Sequence, residues 1–318
     1  MTIAPSPEVR SVRCSQCGAA VDLPVTLRST ACSFCGSALV DAEADAAEPV
    51  DKVVPFRLAR DPAAAQLKAY LAARWFAPES VRRNTRPDEL RDVLVPFWAF
   101  DAIARTSFSA RVGIHWYRTE TYTVTVNGKT ETRTRQVQET EWFPLEGSHV
   151  GQWFDQLVSA SRGLNEAEAN ALEPFDLGEA LPYAPTLVAG LTAERPTVPH
   201  AEAETTAARE IAALEQRTIA SHHLPGDTHG DVRSSTESRL EPPKLVLLPV
   251  WIAVVKGPSG PIRLLVNGQS GEVVSGKIPT SWVKVAIVVG VVLAVLGLIA
   301  LVVLGGGAVT ALIGAAAR

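Results

Sequence analysis

Residues 94–137, LVPFWAFDAIARTSFSARVGIHWYRTETYTVTVNGKTETRTRQV, alternate apolar or β-branched side chains with polar ones over most of their length. A period of two marks strands with one face covered. Residues 94–104 and 105–118 read as strands. Asn127-Gly128 is a type I′ turn signal between arms that alternate Tyr or Val with Thr, so a long hairpin is expected. Upstream, Asp61-Pro62 reads as an N-cap and first-turn proline opening the helix AAAQLKAYLAARWF, which Pro78 closes. Downstream, a second helix over about 201–221 sets Ala207, Ile211, Leu214 and Thr218 on one stripe. KLVLLPVWIAVVKG follows, then a turn at 257–260, PIRLLV, a second Asn-Gly turn at Asn267-Gly268, and EVVSG. Helix, strand and hairpin therefore occur twice, Leu94-Val95-Pro96-Phe97-Trp98 being matched by Leu247-Leu248-Pro249-Val250-Trp251. The fold class expected is α+β: antiparallel sheets covered by helices, with an internal duplication.

The chain has 318 residues, room for about two domains. Its net charge is −4, and Lys284 and Arg318 are the only charges after residue 280, which leaves −6 on 1–280. An acidic body argues against a phosphate-neutralising surface, so nucleic acid is not an expected partner. All four cysteines lie in CSQCG and CSFCGS: Cys14 and Cys17, then fourteen residues, then Cys32 and Cys35. Each pair sets two thiolates on one tight turn, with Gly18 and Gly36 where the backbone must swing. Two such turns brought together make a tetrahedral four-sulfur cage. Disulfides would need an oxidising compartment, and MTIAPSPEVRSVRC has no apolar export core. A redox Cys-x-x-Cys belongs in a βαβ setting, which neither pair has. The expectation is one structural zinc ion per chain on Cys14, Cys17, Cys32 and Cys35, with iron as the alternative in the same cage. Segment 1–40 has a net charge of only +1, with Phe34 as its sole aromatic, which suits protein contact better than nucleic acid.

The other strong signal is VAIVVGVVLAVLGLIALVVL, residues 285–304, without a charge, polar amide or proline. Twenty helical residues span about 30 Å, the thickness of bilayer hydrocarbon. Trp282 stands at interfacial depth, and Lys277 and Lys284 flank the amino side, which by the positive-inside rule puts 1–280 in the cytoplasm. The tail AVTALIGAAA is too short for a second crossing. The expected division is a zinc ribbon at 1–40, an acidic Ala-rich linker at 41–49, an α+β body at 50–280, and a transmembrane anchor with a short tail at 281–318.

Two further constellations invite chemistry. Gly271 to Lys277 fits G-x-x-x-x-G-K, but Ile278 stands where Ser or Thr would hold magnesium and Pro279 forbids the helix a phosphate loop must open, so no nucleotide is expected. His222, His223, Asp227, His229 and Asp231 could ligate a transition metal from one loop, which would make a metal-dependent enzyme; Pro225, Gly226 and Gly230 favour a solvated connection. His115 and His149 stand near tryptophans and suit packing roles. With no G-x-S-x-G elbow, and no cysteine left over as a nucleophile, enzymatic activity is not expected.

The cysteine pairs, PFRLARDPAAAQLKAYLAARWFAP, LVPFWAFDA, SASRGL (159–164), LPYAPTLVAGLTAE, LLPVWIAVV, VNGQSGEVVSGKIP and the terminal apolar run occur in that order. Together they resemble a bacterial family of membrane-anchored TFIIB-type zinc-ribbon proteins, often mislabelled replication-helicase-like. The match covers nearly the whole chain, departing at the His-rich 221–240. It implies a single-pass protein of the cytoplasmic membrane, of envelope-stress context, associated with phage-shock protein A and a flotillin-like (SPFH) protein. The function expected is an adaptor holding such partners at the membrane; a membrane-tethered nucleic-acid-binding module is the alternative.

Overall fold

The computed structural model describes residues 8–41, 49–83, 90–126, 129–257, 260–276 and 278–297. In chain order, strands β1 (Val9–Arg13), β2 (Ala20–Pro24), β3 (Leu27–Ala31), β4 (Ala38–Val40) and β5 (Lys52–Val53) precede helices α1 (Arg60–Ala73) and α2 (Glu79–Arg83). The long strands β6 (Arg91–Val126) and β7 (Lys129–Ser159) follow, then α3 (Glu166–Leu172), β8 (Leu181–Pro182) and β9 (Thr192–Glu194). Helix α4 (His200–Thr218), a π-turn at Ile219–His223, and strands β10 (Thr228–Leu240), β11 (Lys244–Gly257), β12 (Gly260–Asn267) and β13 (Val273–Ser275) come next. A helix, α5, covers 282–297. β6 pairs antiparallel with β7 and β10, and β11 with β12, whereas β6 with β9 and β11 with β5 are parallel, so the class is α+β with mixed, mainly antiparallel sheets.

Two compact units share the chain: 1–55 with 93–249, and 56–92 with 250–318. In the first unit, β6 and β7 form the expected hairpin, in continuous register from Phe97↔Ser159 to Val126↔Lys129, with one irregularity between Phe100 and Ala102. Residues 94–118 are not two strands but part of one. β10 pairs with β6 only from Ala102 to Gly113. Beyond that point 114–126 and 129–141 make a two-stranded arm of about 43 Å at 3.3 Å per residue. The Asn127-Gly128 turn lies outside the described residues.

Helix α4 lays Ala203, Ala207 and Ile211 on Phe100, Ala102, Ala104 and Val158 of the β6–β7 hairpin. In the second unit α1 lays Ala63, Ala64, Leu67 and Leu71 on Trp251, Ala253, Val255, Ile262, Leu264 and Val266 of the β11–β12 hairpin. Each helix thus covers the hairpin that follows the other helix in sequence.

The two settings match bond for bond. Trp98 Nε1 donates to Val198 O at 2.9 Å, and Trp251 Nε1 donates to Leu58 O at 2.9 Å; each acceptor lies two residues before its helix starts. Thr197 and Val198 donate their amides to Ala160 O, and Arg57 and Leu58 donate theirs to Gly268 O; each carbonyl lies one residue past the return strand. Phe97 and Val250, the residues between Pro and Trp, pair with the last residues of those strands, Ser159 and Asn267. Asn267 also shapes the loop that follows, its Oδ1 accepting from the amides of Gln269 and Ser270, so the Asn-Gly signal marks a longer turn than type I′.

Helix caps and stripes depart from expectation in detail. Ala59, not Asp61, is the N-cap of α1, and Asp61 sits in the first turn. The buried stripe of α4 is Ala203, Ala207, Ile211 and Glu215, continued by Ile219, rather than one through Leu214 and Thr218. Among the described residues no helix is long and apolar enough to cross a membrane. The expected span 285–304 is described only to 297, and 298–304 lie outside the described residues.

Candidate metal centre

Each cysteine pair forms the bend of a hairpin, β1–β2 carrying Cys14 and Cys17 and β3–β4 carrying Cys32 and Cys35. The two bends have the same wiring. Cys14 N donates to Ala19 O and Gly18 N to Cys14 O; Cys32 N donates to Ser37 O and Gly36 N to Cys32 O. Gly18 (φ 75°) and Gly36 (φ 72°) are left-handed, a conformation that side chains with a Cβ resist. All four thiols are free, and their sulfurs lie within 4.8 Å of one another. Cys14 and Cys35 sulfurs are 3.8 Å apart and Cys17 and Cys32 sulfurs 3.9 Å. A tetrahedron with metal–sulfur bonds of about 2.3 Å has sulfur–sulfur edges of about 3.8 Å, so the donor set fits a structural metal ion. Four thiolates would fill its coordination and leave no position for a substrate.

The Ser37 hydroxyl, 3.1 Å from Cys14 Sγ and 3.0 Å from Cys35 Sγ, holds both thiols low. Cys14 comes down to about 6, through Ser37 and then the amides of Cys17 and Gln16. At Cys17 a backbone bond from Ala19 lowers the thiol, but the other three sulfurs and burial outweigh it and push it up to about 12.

The cysteine hairpins are joined to the rest of the first unit. β3 pairs with β9, and Ser29 Oγ donates to Val188 O and Leu191 O. Arg28 is fully buried with its guanidinium over the Tyr183 ring.

The other sequence candidates do not converge. Among the described residues no group of three or more from His222, His223, Asp227, His229 and Asp231 comes within ligating distance. Asp227 accepts the His115 amide at 2.7 Å, His222 Nδ1 lies 2.6 Å from Ser221 Oγ, and Asp231 sits at a bulge of β10 with φ 52°. In the G-x-x-x-x-G-K stretch, Val273–Ser275 is a strand paired with β12, which is incompatible with a phosphate loop; Lys277 lies outside the described residues.

One polar cluster escapes sequence reasoning. Glu215, fully buried on α4, accepts from Trp153 Nε1 at 2.8 Å, from Thr106 Oγ1 at 2.9 Å and from His149 Nδ1 at 2.8 Å. Burial alone pushes its carboxyl up, but these bonds outweigh it and hold the group below the usual carboxylate range. A Cβ on Gly151 would stand 2.0 Å from Glu215 Oε1, so only glycine lets the carboxylate approach β7. The His149 ring also packs against His223 of the π-turn, tilted by 46° with centroids 4.4 Å apart. The signal was present in the spacing: 203, 207, 211, 215 and 219 recur every four residues, and one of the five is charged.

A second carboxyl is perturbed the other way. Burial, helped by nearby Glu210, pushes Glu173 up to about 7 from 4.5. The folded chain therefore holds a proton that the unfolded chain releases, and stability falls as pH rises from about 4.5 to 7. Glu173→Gln is expected to stabilise the protein by about 1 kcal/mol at pH 8, well below the full linkage value because water screens a half-buried carboxyl. The gain should vanish by pH 4.5. Urea titrations at both pH values measure it, and an equal gain at the two would refute this assignment.

No family model matches the chain, and no solved structure gives a significant match. The chain is similar to the uncharacterized protein YdjG of Bacillus subtilis (strain 168), 26% identical over 237 residues. That alignment takes in 74% of this chain, which spans 65% of that relative's length.

Proposed function

We propose that this chain is an adaptor anchored in a bacterial cytoplasmic membrane, holding protein partners at its cytoplasmic face. In this reading one zinc ion orders the ribbon of 1–40, a duplicated α+β frame forms the body, and 285–304 lies in the bilayer. Partners like phage-shock protein A and flotillin-like proteins are those the family resemblance implies.

The observation that carries the reading is α5. From 286 to 297 every described residue is exposed, including Ile287, Val289, Val292, Leu293 and Leu296 on different sides of the helix. A helix that is apolar all round is stable when sunk in protein or in lipid. Among the described residues of its unit, none covers this one.

The arm supports the adaptor half. Register puts His115, Tyr117, Thr119, Thr121, Thr123 and Thr125 on one face with Thr140, Gln138, Gln136, Thr134, Thr132 and Thr130, a surface without a carboxylate, lysine or arginine. On the other face Arg118 pairs with Glu139, Arg135 with Glu120, and Arg133 with Glu131. These arginines are neutralised by glutamates, which favours a protein partner over nucleic acid. A two-stranded ribbon alone is marginal in water, and its open strand edges are templates for another chain.

The test is fractionation of cells producing the full chain or a form ending at residue 280. The full chain should resist carbonate extraction, and the shortened form should move with its partners to the soluble fraction. Carbonate release of the full chain would end the proposal.

A further inference from the structure

Within the second unit, α5 is bonded to a loop two hundred residues away in sequence. Lys284 Nζ donates to Trp75 O at 2.7 Å and to Ala77 O at 2.9 Å, and lies over the Trp75 ring, 5.6 Å from its centroid. Ser281 N donates to Phe76 O at 2.8 Å. The loop between α1 and α2 and the first turn of α5 are therefore held at one level.

What that level presents is unusual for a surface in water. Trp75 and Phe76 are each 47% exposed, packed edge to face with centroids 5.2 Å apart, and Trp282 is 79% exposed. Arg74, next in the chain, lies exposed with its guanidinium over the Tyr70 ring. Two tryptophans, a phenylalanine and two cations around the start of an apolar helix have the composition of a membrane interface, where amphipathic rings sit among headgroups and long cationic side chains reach outward. Lys284 has no need to reach far: two carbonyls and a ring face satisfy its ammonium where it stands.

We infer that Trp75 and Phe76 form, with Trp282, an interfacial seat that inserts into the headgroup and upper acyl region of the bilayer around the start of α5. The occupant is lipid, because the aromatic pair is continuous with an all-round apolar helix that the same bonds hold beside it. This rests on the membrane reading of α5 and adds to it a second contact, from the loop 74–77. A single helix leaves the attached unit free to swivel on the bilayer, whereas a seat fixes which side faces it.

The test uses the full chain in vesicles of phosphatidylethanolamine and phosphatidylglycerol with brominated acyl chains, which quench tryptophan within the bilayer. Trp282→Phe should keep part of the quenching, and Trp75→Phe added to it should abolish what remains. Flotation of each variant with the vesicles is measured alongside, and α-helix and sheet content by circular dichroism verifies folding. If the chain floats but the double variant is quenched as strongly as Trp282→Phe alone, the seat is refuted while the anchor stands. A Trp75 that is shielded from aqueous quencher and untouched by bromine would mean a protein surface covers it, and also refutes the seat. If the full chain does not float, both the seat and the anchor fall.

Discussion

Cys32→Ser is expected to take the purified chain from one zinc ion to none and to open the cysteine hairpins to protease, while the helical signal of the body persists. Besides cysteine, the described apolar core of this segment is Val21, Leu23 and Leu39, with Val12 partly buried beside them. Each such side chain contributes about 1.5–3 kcal/mol when buried, and every ordered residue costs about 1–2 kcal/mol of backbone entropy. Four aliphatic side chains cannot order thirty residues, so a bound ion is expected to; structural zinc supplies about 10–16 kcal/mol in small zinc-finger peptides. Unfolding should not be uniform. Strand β3 is held by β9 and by the Ser29 bonds to Val188 and Leu191, so cleavage is expected in 9–24 and near 32–40 but not in 27–31. Atomic emission and mapped limited proteolysis measure both effects. A variant that holds metal against a competing chelator as tightly as the parent would show that Cys32 is not a ligand. Loss of the body's melting transition along with the metal would show that the hairpins and the body fold as one.

Glu215→Ala should cost about 3–5 kcal/mol, the usual penalty for removing one member of a buried charged hydrogen-bonded set. Its removal takes the acceptor from the Trp153 indole and the His149 ring, while Thr106 keeps Thr236 at 3.0 Å. Glu215→Gln should cost less, since one oxygen still accepts, though its amide must face a donor. The carboxyl is held low in the folded state, so its contribution is present above about pH 4.5 and is lost as pH falls through its lower folded value. The gap between the parent and Glu215→Gln should therefore narrow in acid. Denaturant midpoints at pH 7 and pH 4 measure it. A loss under 1 kcal/mol for Glu215→Ala at pH 7 would mean that α4 is held by Ala203, Ala207 and Ile211 alone.

The arm and the Glu215 cluster show how tertiary context decided what local pattern left open. Period-two alternation through 94–137 marked a hairpin, but alternation is indifferent to whether a third strand lies alongside. β10 stops at Gly113, and that termination turns the distal half of the hairpin into an arm that no other described strand flanks. For α4, an apolar stripe can be drawn at a spacing of three and four or of four throughout. The helix takes the second, because Gly151 leaves room for a carboxylate and Trp153, Thr106 and His149 supply its donors from strands far away in sequence.

Local chemistry was legible wherever a residue's requirement is met by its own neighbours. Each Cys-x-x-Cys-Gly bend sets its own pair of sulfurs, because the left-handed glycine and the bonded amides lie within five residues of each thiol. The repeated Pro-Φ-Trp strings likewise announced two strands in like settings. Which helix covers which hairpin was not written locally: α1 and α4 offer similar alanine and leucine or isoleucine faces, either of which suits a hairpin with an inward tryptophan. Their assignment rests on the indole bonds to Val198 and Leu58 and the carbonyls of Ala160 and Gly268, contacts closed over 37 to 211 residues of chain. Only the folded chain, by bringing those distant groups within bonding reach, makes that choice.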